Sequence, residues 1–217
     1  MDKPIVKARR GRPPGPSRDY VDARDALLRA GMALLTEQGF SATGLDAMLK
    51  RVNVPKGSFY HYFASKDAFG REVIDAYDAY FQAKLEHWLH DDARAASAAS
   101  PSPLARLANF VDDAKAGMAR HAYRRGCLVG TLGQELGALP DGYRDRLAGV
   151  LQGWQDRVAA CLREARRRGE LSARADCDAL AAFFWIGWEG AVLRARLVES
   201  AAPLDIFFEG FLAGLPR

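Results

Sequence analysis

The chain has 217 residues, 49% of them hydrophobic, with 31 Lys/Arg against 27 Asp/Glu and a formal net charge of +4. That length suits one large domain or a small domain joined to a larger one, and the apolar content excludes disorder along the whole chain. No run of about 18 uncharged apolar residues occurs, which excludes a helical membrane span and a membrane partner.

The first residues are basic and Pro-rich but lack the apolar stretch of a secretory signal, so a cytoplasmic location is expected. Cys127, Cys161 and Cys177 are odd in number and far apart. Without a CxxC pair they indicate neither a zinc knuckle nor a disulfide framework.

Charge is unevenly distributed. Residues 1–66 hold twelve Lys/Arg and six Asp/Glu, whereas the remainder holds nineteen and twenty-one. A basic front on a near-neutral body suggests that the front meets a polyanion and the body something else.

Residues 1–18, with Arg9-Arg10-Gly11-Arg12-Pro13-Pro14-Gly15-Pro16, are too rich in Pro and Gly to fold alone and read as a flexible basic arm. Ser17 or Asp19 can cap a first helix carrying Val21, Leu27, Leu28, Met32 and Leu35 at helical spacing, and Gly39 ends it. Thr43 is placed to cap a second helix, Asn53-Val54-Pro55 to turn the chain, and Pro55 to sit in the first turn of a third. Ser65 with Asp67 opens a long fourth helix to about residue 90. After a Ser/Ala/Pro-rich break at 91–103, only helices are expected, roughly 103–120, 126–138, 142–168, 177–199 and 203–214. The predicted fold is all-α, with about nine helices.

Residues 54–63, Val-Pro-Lys-Gly-Ser-Phe-Tyr-His-Tyr-Phe, carry the sharpest chemistry. Phe59 and Phe63 are four apart and share an inward face, which leaves Lys56, Ser58, Tyr60 and His61 nearer the outside. Gly57 keeps the backbone bare where the helix start would meet a duplex. Two short helices joined by a tight turn, the second with this polar face, have the layout of a DNA-reading helix-turn-helix. Hydroxyl, imidazole and ammonium groups can bond phosphates, and Lys56 can reach guanine acceptors.

Residues 19–67 resemble the N-terminal three-helix domain of TetR-family transcriptional regulators. The matching features are Gln38-Gly39-Phe40, Thr43, residues 54–63 and Ser65-Lys66-Asp67. The resemblance implies DNA contacts from Lys56, Ser58, Tyr60 and His61 on the recognition helix, with Gly57 at its start, and phosphate anchors at Thr43 and Lys66. It also implies a core of Phe40, Leu45, Leu49, Phe59 and Phe63. In the arm, Arg10-Gly11-Arg12-Pro13 resembles the AT-hook core, in which Arg10 and Arg12 would lie along a narrow A·T minor groove.

In the body, 177–199 carries Phe183, Phe184, Trp185, Ile186, Trp188, Val192, Leu193 and Leu197, an apolar belt too broad for one buried stripe. Gly187, Gly190 and Ala191 would let another helix approach, and 203–214 adds Leu204, Ile206, Phe207, Phe208, Phe211 and Leu212. These two helices and their copies would make a four-helix homodimer interface; packing within one subunit is the alternative. Two heads would then read a palindromic operator of double-stranded DNA.

The segment 124–135, Arg-Arg-Gly-Cys-Leu-Val-Gly-Thr-Leu-Gly-Gln-Glu, is the best local clue to an effector site. If a helix starts near Gly126, its dipole and the two arginines favour a thiolate at Cys127, open to electrophiles or oxidants. The alternative is a small buried apolar residue. Residues 124–139, with 185–191 later, resemble the TetR subgroup of acrylate-utilisation repressors and electrophile-sensing regulators. That implies a small-molecule effector, an unsaturated acid, its thioester or an electrophile, with Cys127, Trp185, Trp188 and Glu189 at its pocket.

An enzyme is the competing class. Glu86-His87 with His90-Asp91 reads as a solvated helix end rather than a metal site, and His121 lacks nucleophile and acid partners. Gly126, Gly130, Gly133 and Gly137 are spaced for one helix face and not for a phosphate loop. No catalytic residue, metal or cofactor is therefore expected. A non-sensing architectural DNA binder or an activator is the other alternative. The expected organisation is an arm at 1–18, a DNA-binding domain at 19–66 and an effector-binding and dimerisation domain at 67–217.

Overall fold

The computed structural model describes residues 18–90 and 101–217, and among them every regular element is a helix. The arm, with Arg10 and Arg12, lies outside the described residues, as does Ser17. Helix α1 (Arg18–Ala42) begins before Asp19 and is broken at Gly39, whose φ of 81° and ψ of 179° swing the chain out of the helix. Only glycine takes that conformation without strain, and a Cβ there would also land on the Glu135 carboxylate. Leu27, Leu28 and Leu35 are buried as their spacing requires.

Helix α2 (Leu45–Val52) starts from Gly44, which makes no side-chain cap. Thr43 is not the cap: its buried hydroxyl donates to the Gly39 carbonyl four residues back, at 2.6 Å. A β-hydroxyl can bond backward as readily as it caps, and the bend at Gly39 decides between the two. Asn53 closes α2 in the left-handed region with φ of 54°. Pro55 caps α3 (Lys56–Tyr62) one residue ahead of the expected position. Ser65 accepts the Ala68 N–H at 3.0 Å and starts α4 (Lys66–Leu89), with Asp67 at the positive end of its dipole.

The body adds α5 (Pro103–Arg120), α6 (Leu128–Gly133), α7 (Tyr143–Arg167), α8 (Cys177–Val198) and α9 (Ala202–Ala213). Helix α6 is shorter than the expected 126–138. After Gly133 the amides of Glu135 and Ala138 bond three residues back instead of four, and the Glu135 side chain reaches across to α1. The glycines at 130, 133 and 137 lower the helical propensity here, and the Glu135 contact to α1 accompanies the break.

Helices α4, α5, α7 and α8 surround an aromatic centre in which Trp154 lies 4.2 Å from Phe81 and 5.4 Å from Trp185, measured between ring centroids. Burying each such ring removes roughly 150–250 Å² from water, which makes this cluster the main stabiliser of the body. The Trp154 indole donates to Asp78 Oδ1 at 2.8 Å, so its polar edge is satisfied inside the core.

Several contacts join the front of the molecule to the body. The Tyr143 hydroxyl donates to the Asp67 carbonyl at 2.9 Å while its ring meets Phe40 edge-on at 5.4 Å. Arg24 of α1 pairs with Glu72 of α4. Glu135 accepts the amides of Phe40 and Ser41 at 2.8 and 3.1 Å.

Candidate nucleic-acid interface and buried cavity

Helix α3 has the two faces that its sequence demands. Phe59 and Phe63 are 0% and 2% exposed, their centroids 5.3 Å apart, and both rest on Phe69 of α4. On the other side Lys56, Gly57, Tyr60 and His61 are exposed and Ser58 partly so; Tyr60 reaches 57%. A seven-residue helix would not persist alone, and the phenylalanine platform is what holds it. Lys56 Nζ lies 2.9 Å from Asp46 Oδ1 on α2, and that hydrogen bond raises its pKa above the ordinary lysine value. The ammonium is therefore already charged and aimed along the turn.

The two expected phosphate anchors are placed differently. Thr43 is buried with its hydroxyl committed to Gly39. Lys66 is half-buried and turned inward, with Nζ donating to the Phe40 carbonyl at 2.9 Å and lying 4.4 Å from the centre of the Phe40 ring. Both side chains secure the end of α1 instead of facing outward. Their position beside helix starts was legible, but the free carbonyls left by the Gly39 bend were not.

In the body a cavity of about 470 Å³ opens between α1, α4, α5 and α8. Cys127, Trp188 and Glu189 line it as expected, and Tyr77 and Lys84 of α4 with Arg29 of α1 do so unforeseen. Tyr77, Phe81 and Lys84 stand four and then three residues apart on α4, so their shared face was available as a helical stripe. Trp185 does not line the cavity; it is buried among Phe81, Phe110, Trp154 and Phe184.

Cys127 is the N-cap of α6 and accepts the Gly130 N–H at 3.4 Å. The expected thiolate is overturned. Burial, followed by the charge of Glu189, pushes the thiol well above its ordinary value, and the Gly130 amide opposes this only in part. Arg125 gives no help, because its Nε lies 2.6 Å from Glu37 Oε1. Helix α6 is also only six residues long, a small dipole.

Glu189 is pushed up to about 7 by burial, with the Cys127 thiol partly opposing. Its Oε1 is screened from solvent and has no hydrogen-bond partner. Burial likewise pushes the Tyr77 phenol up, with Cys127 adding to it. This side of the cavity thus holds three groups whose burial favours the protonated form, Glu189 titrating near neutrality, without a counter-ion among them. Among the described residues, no group of three His, Cys, Asp or Glu side chains is placed to hold a metal ion.

Residues 27–73 match the family model described as bacterial regulatory proteins, tetR family, and residues 103–211 match the tetracyclin repressor-like C-terminal domain. The chain belongs to the TetR family. Among its TetR-family relatives, the transcriptional regulator AcuR of Cereibacter sphaeroides is 54% identical over 94% of this chain and 90% of that protein. The HTH-type transcriptional repressor NemR of Escherichia coli is 28% identical over 85% of this chain and 89% of its own length. The crystal structure of regulatory protein TetR from Rhodobacter sphaeroides superposes with a TM-score of 0.83 at 52% identity, covering 89% of this chain and 98% of that one. As a TetR-family member the protein is a DNA-binding transcriptional repressor and not an enzyme. No described helix is long and apolar enough to cross a membrane.

Proposed function

We propose that this TetR-family repressor acts as a homodimer on a palindromic operator and leaves it when a small unsaturated acid occupies the cavity of the body. Residues 19–66 form the DNA-binding domain, residues 67–217 the effector-binding and dimerisation domain, and residues 1–18 an arm whose Arg10 and Arg12 follow the minor groove. The observation that carries the reading is the outward set Lys56, Tyr60 and His61 on a helix seated on two buried phenylalanines. Lys56 and His61 meet phosphates or base edges in the major groove, and Ser58 and Tyr60 donate hydroxyl hydrogen bonds. The setting is cytoplasmic.

Dimerisation is supported by an unpartnered apolar face. Phe183, Ile186, Leu197 and Ile206 on α8 and α9 are 58%, 75%, 75% and 72% exposed, a pattern that favours a second copy. Not all of the apolar belt serves it: Phe184 and Trp188 stack at 5.8 Å inside the subunit, and a Cβ at Gly187 would land on Phe207 of α9.

Release is supported by the cavity wall. Arg29, Met32, Ala33 and Thr36 come from α1, the helix on which α2 rests. A ligand in the cavity therefore touches the DNA-binding domain directly, and any preference for one position of α1 shifts the two-state balance of the heads. The neutral Cys127 thiol favours non-covalent binding of an acid over alkylation. The test is a gel shift on the natural operator with acrylate added, for the wild type and Cys127→Ser. Release in both supports the reading. An acrylate-insensitive complex, or no duplex binding at low salt, rejects it.

A further inference from the structure

A buried carboxyl oxygen without a partner calls for a physical account, because it has lost its water without gaining a hydrogen bond. Glu189 Oε1 is such an atom, and it belongs to a side chain lining the cavity described above. Its neighbours supply no charge to compensate it. Cys127 and Tyr77, the groups facing it from α6 and α4, are themselves neutral. Arg196, two turns further along the same face of α8, donates to Thr131 Oγ1 at 3.2 Å and to the Glu37 carbonyl at 3.1 Å.

The cations lining the cavity are mostly spent. Lys84 Nζ lies 2.6 Å from Asp113, and Arg125 pairs with Glu37. Burial and the Arg125 charge hold His121 below its ordinary value, so it is neutral at pH 7. Tyr80 is exposed, and Arg29 stays at the mouth on α1. The Glu189 side chain therefore brings a carboxyl with an unpartnered oxygen to the cavity wall, complementary to a second carboxyl group.

Resting on the effector reading above, we propose that protonated Glu189 is the group that receives the effector's carboxylate, so the acid is held only while Glu189 keeps its proton. The Glu189 O–H donates to one oxygen of the acid, and the proton comes from solvent whenever Glu189 is ionised beforehand. No bond of the ligand is broken. Two ionised carboxylates at this distance in a dry site would repel, so ionising Glu189 expels the ligand.

The test is calorimetric titration of the full-length protein with acrylate at about pH 6 and about pH 8.5, in two buffers of different ionisation heat. The expected result is near-zero proton uptake at the lower pH and close to one proton per site at the higher, with affinity falling up to tenfold per pH unit above neutrality. Glu189→Gln keeps a donor but cannot titrate, and its acrylate affinity should be flat across the same range. Gly130→Ala is an independent probe, since its methyl would displace the Glu189 carboxyl, and it should weaken acrylate binding at about pH 6. Binding with equal affinity at both pH values and no proton uptake overturns the proposal and leaves the effector reading standing, with the acid at the cationic mouth. No acrylate binding at either pH, with no rise in melting temperature, overturns both.

Discussion

The Glu135 carboxylate accepts the backbone N–H of Phe40 at 2.8 Å across 95 positions of sequence, and that of Ser41 at 3.1 Å. One side chain thus ties the turn after α6, whose first residue borders the cavity wall at Cys127, to the junction from which α2 departs. The contact is charge-assisted and only half-screened from water, so it is strong enough to position and weak enough to exchange.

Glu135→Ala leaves two backbone donors unpaired and should cost about 1–3 kcal/mol of stability. Glu135→Gln keeps an acceptor and should recover part of that loss. Denaturant unfolding measures the cost. A gel shift should show that the alanine variant binds operator more weakly, because the start of α2 is no longer fixed. Unchanged unfolding and unchanged operator affinity in the alanine variant would show that the contact positions nothing.

Lys56 is held by Asp46 in the absence of DNA. An exposed pair of this kind is strongly screened by water, so Asp46→Asn should tighten operator binding only modestly, by removing a competitor and a negative charge. Lys56→Ala should weaken binding, and if the ammonium lies on a phosphate, the salt slope should drop by about one. Fluorescence anisotropy against salt concentration reads both effects.

Glu189 links stability to pH. Its carboxyl stands at about 7 in the folded protein against 4.5 unfolded. Raised in the folded state, it contributes stability that is fully present below 4.5 and is lost as pH rises through about 7. The loss amounts to about 3 kcal/mol for a displacement of that size. Urea unfolding across this window should show the wild type losing that amount relative to Glu189→Gln as pH rises. Parallel pH profiles would contradict a buried neutral acid.

The apolar face of α8 and α9 makes the dimer testable by charge. Ile186→Asp together with Leu197→Asp places two carboxylates where a second copy should pack. Sedimentation should show a monomer that keeps its helical circular dichroism, and operator affinity should fall by more than tenfold because one head loses its tethered partner. A double mutant that remains dimeric would move the interface elsewhere.

Local pattern settled what local physics governs. The period of apolar residues, Gly39, the Asn53-Val54-Pro55 turn, Ser65 and the Phe59/Phe63 pair are decided within a few residues of themselves, and each produces its helix, stop or buried face by steric rules that act along the chain. That is why the all-helical fold and the outward face of α3 were readable in advance. What distant segments bring together was not. Thr43 and Lys66 turned inward because the bent end of α1 offered them carbonyls, Arg125 was drawn off Cys127 by Glu37 from a helix 88 residues earlier, and Glu135 found two amides at the end of α1. The protonation of Cys127 and Glu189 belongs to this second class. Desolvation depends on every atom packed around a group, and only the folded chain supplies those atoms.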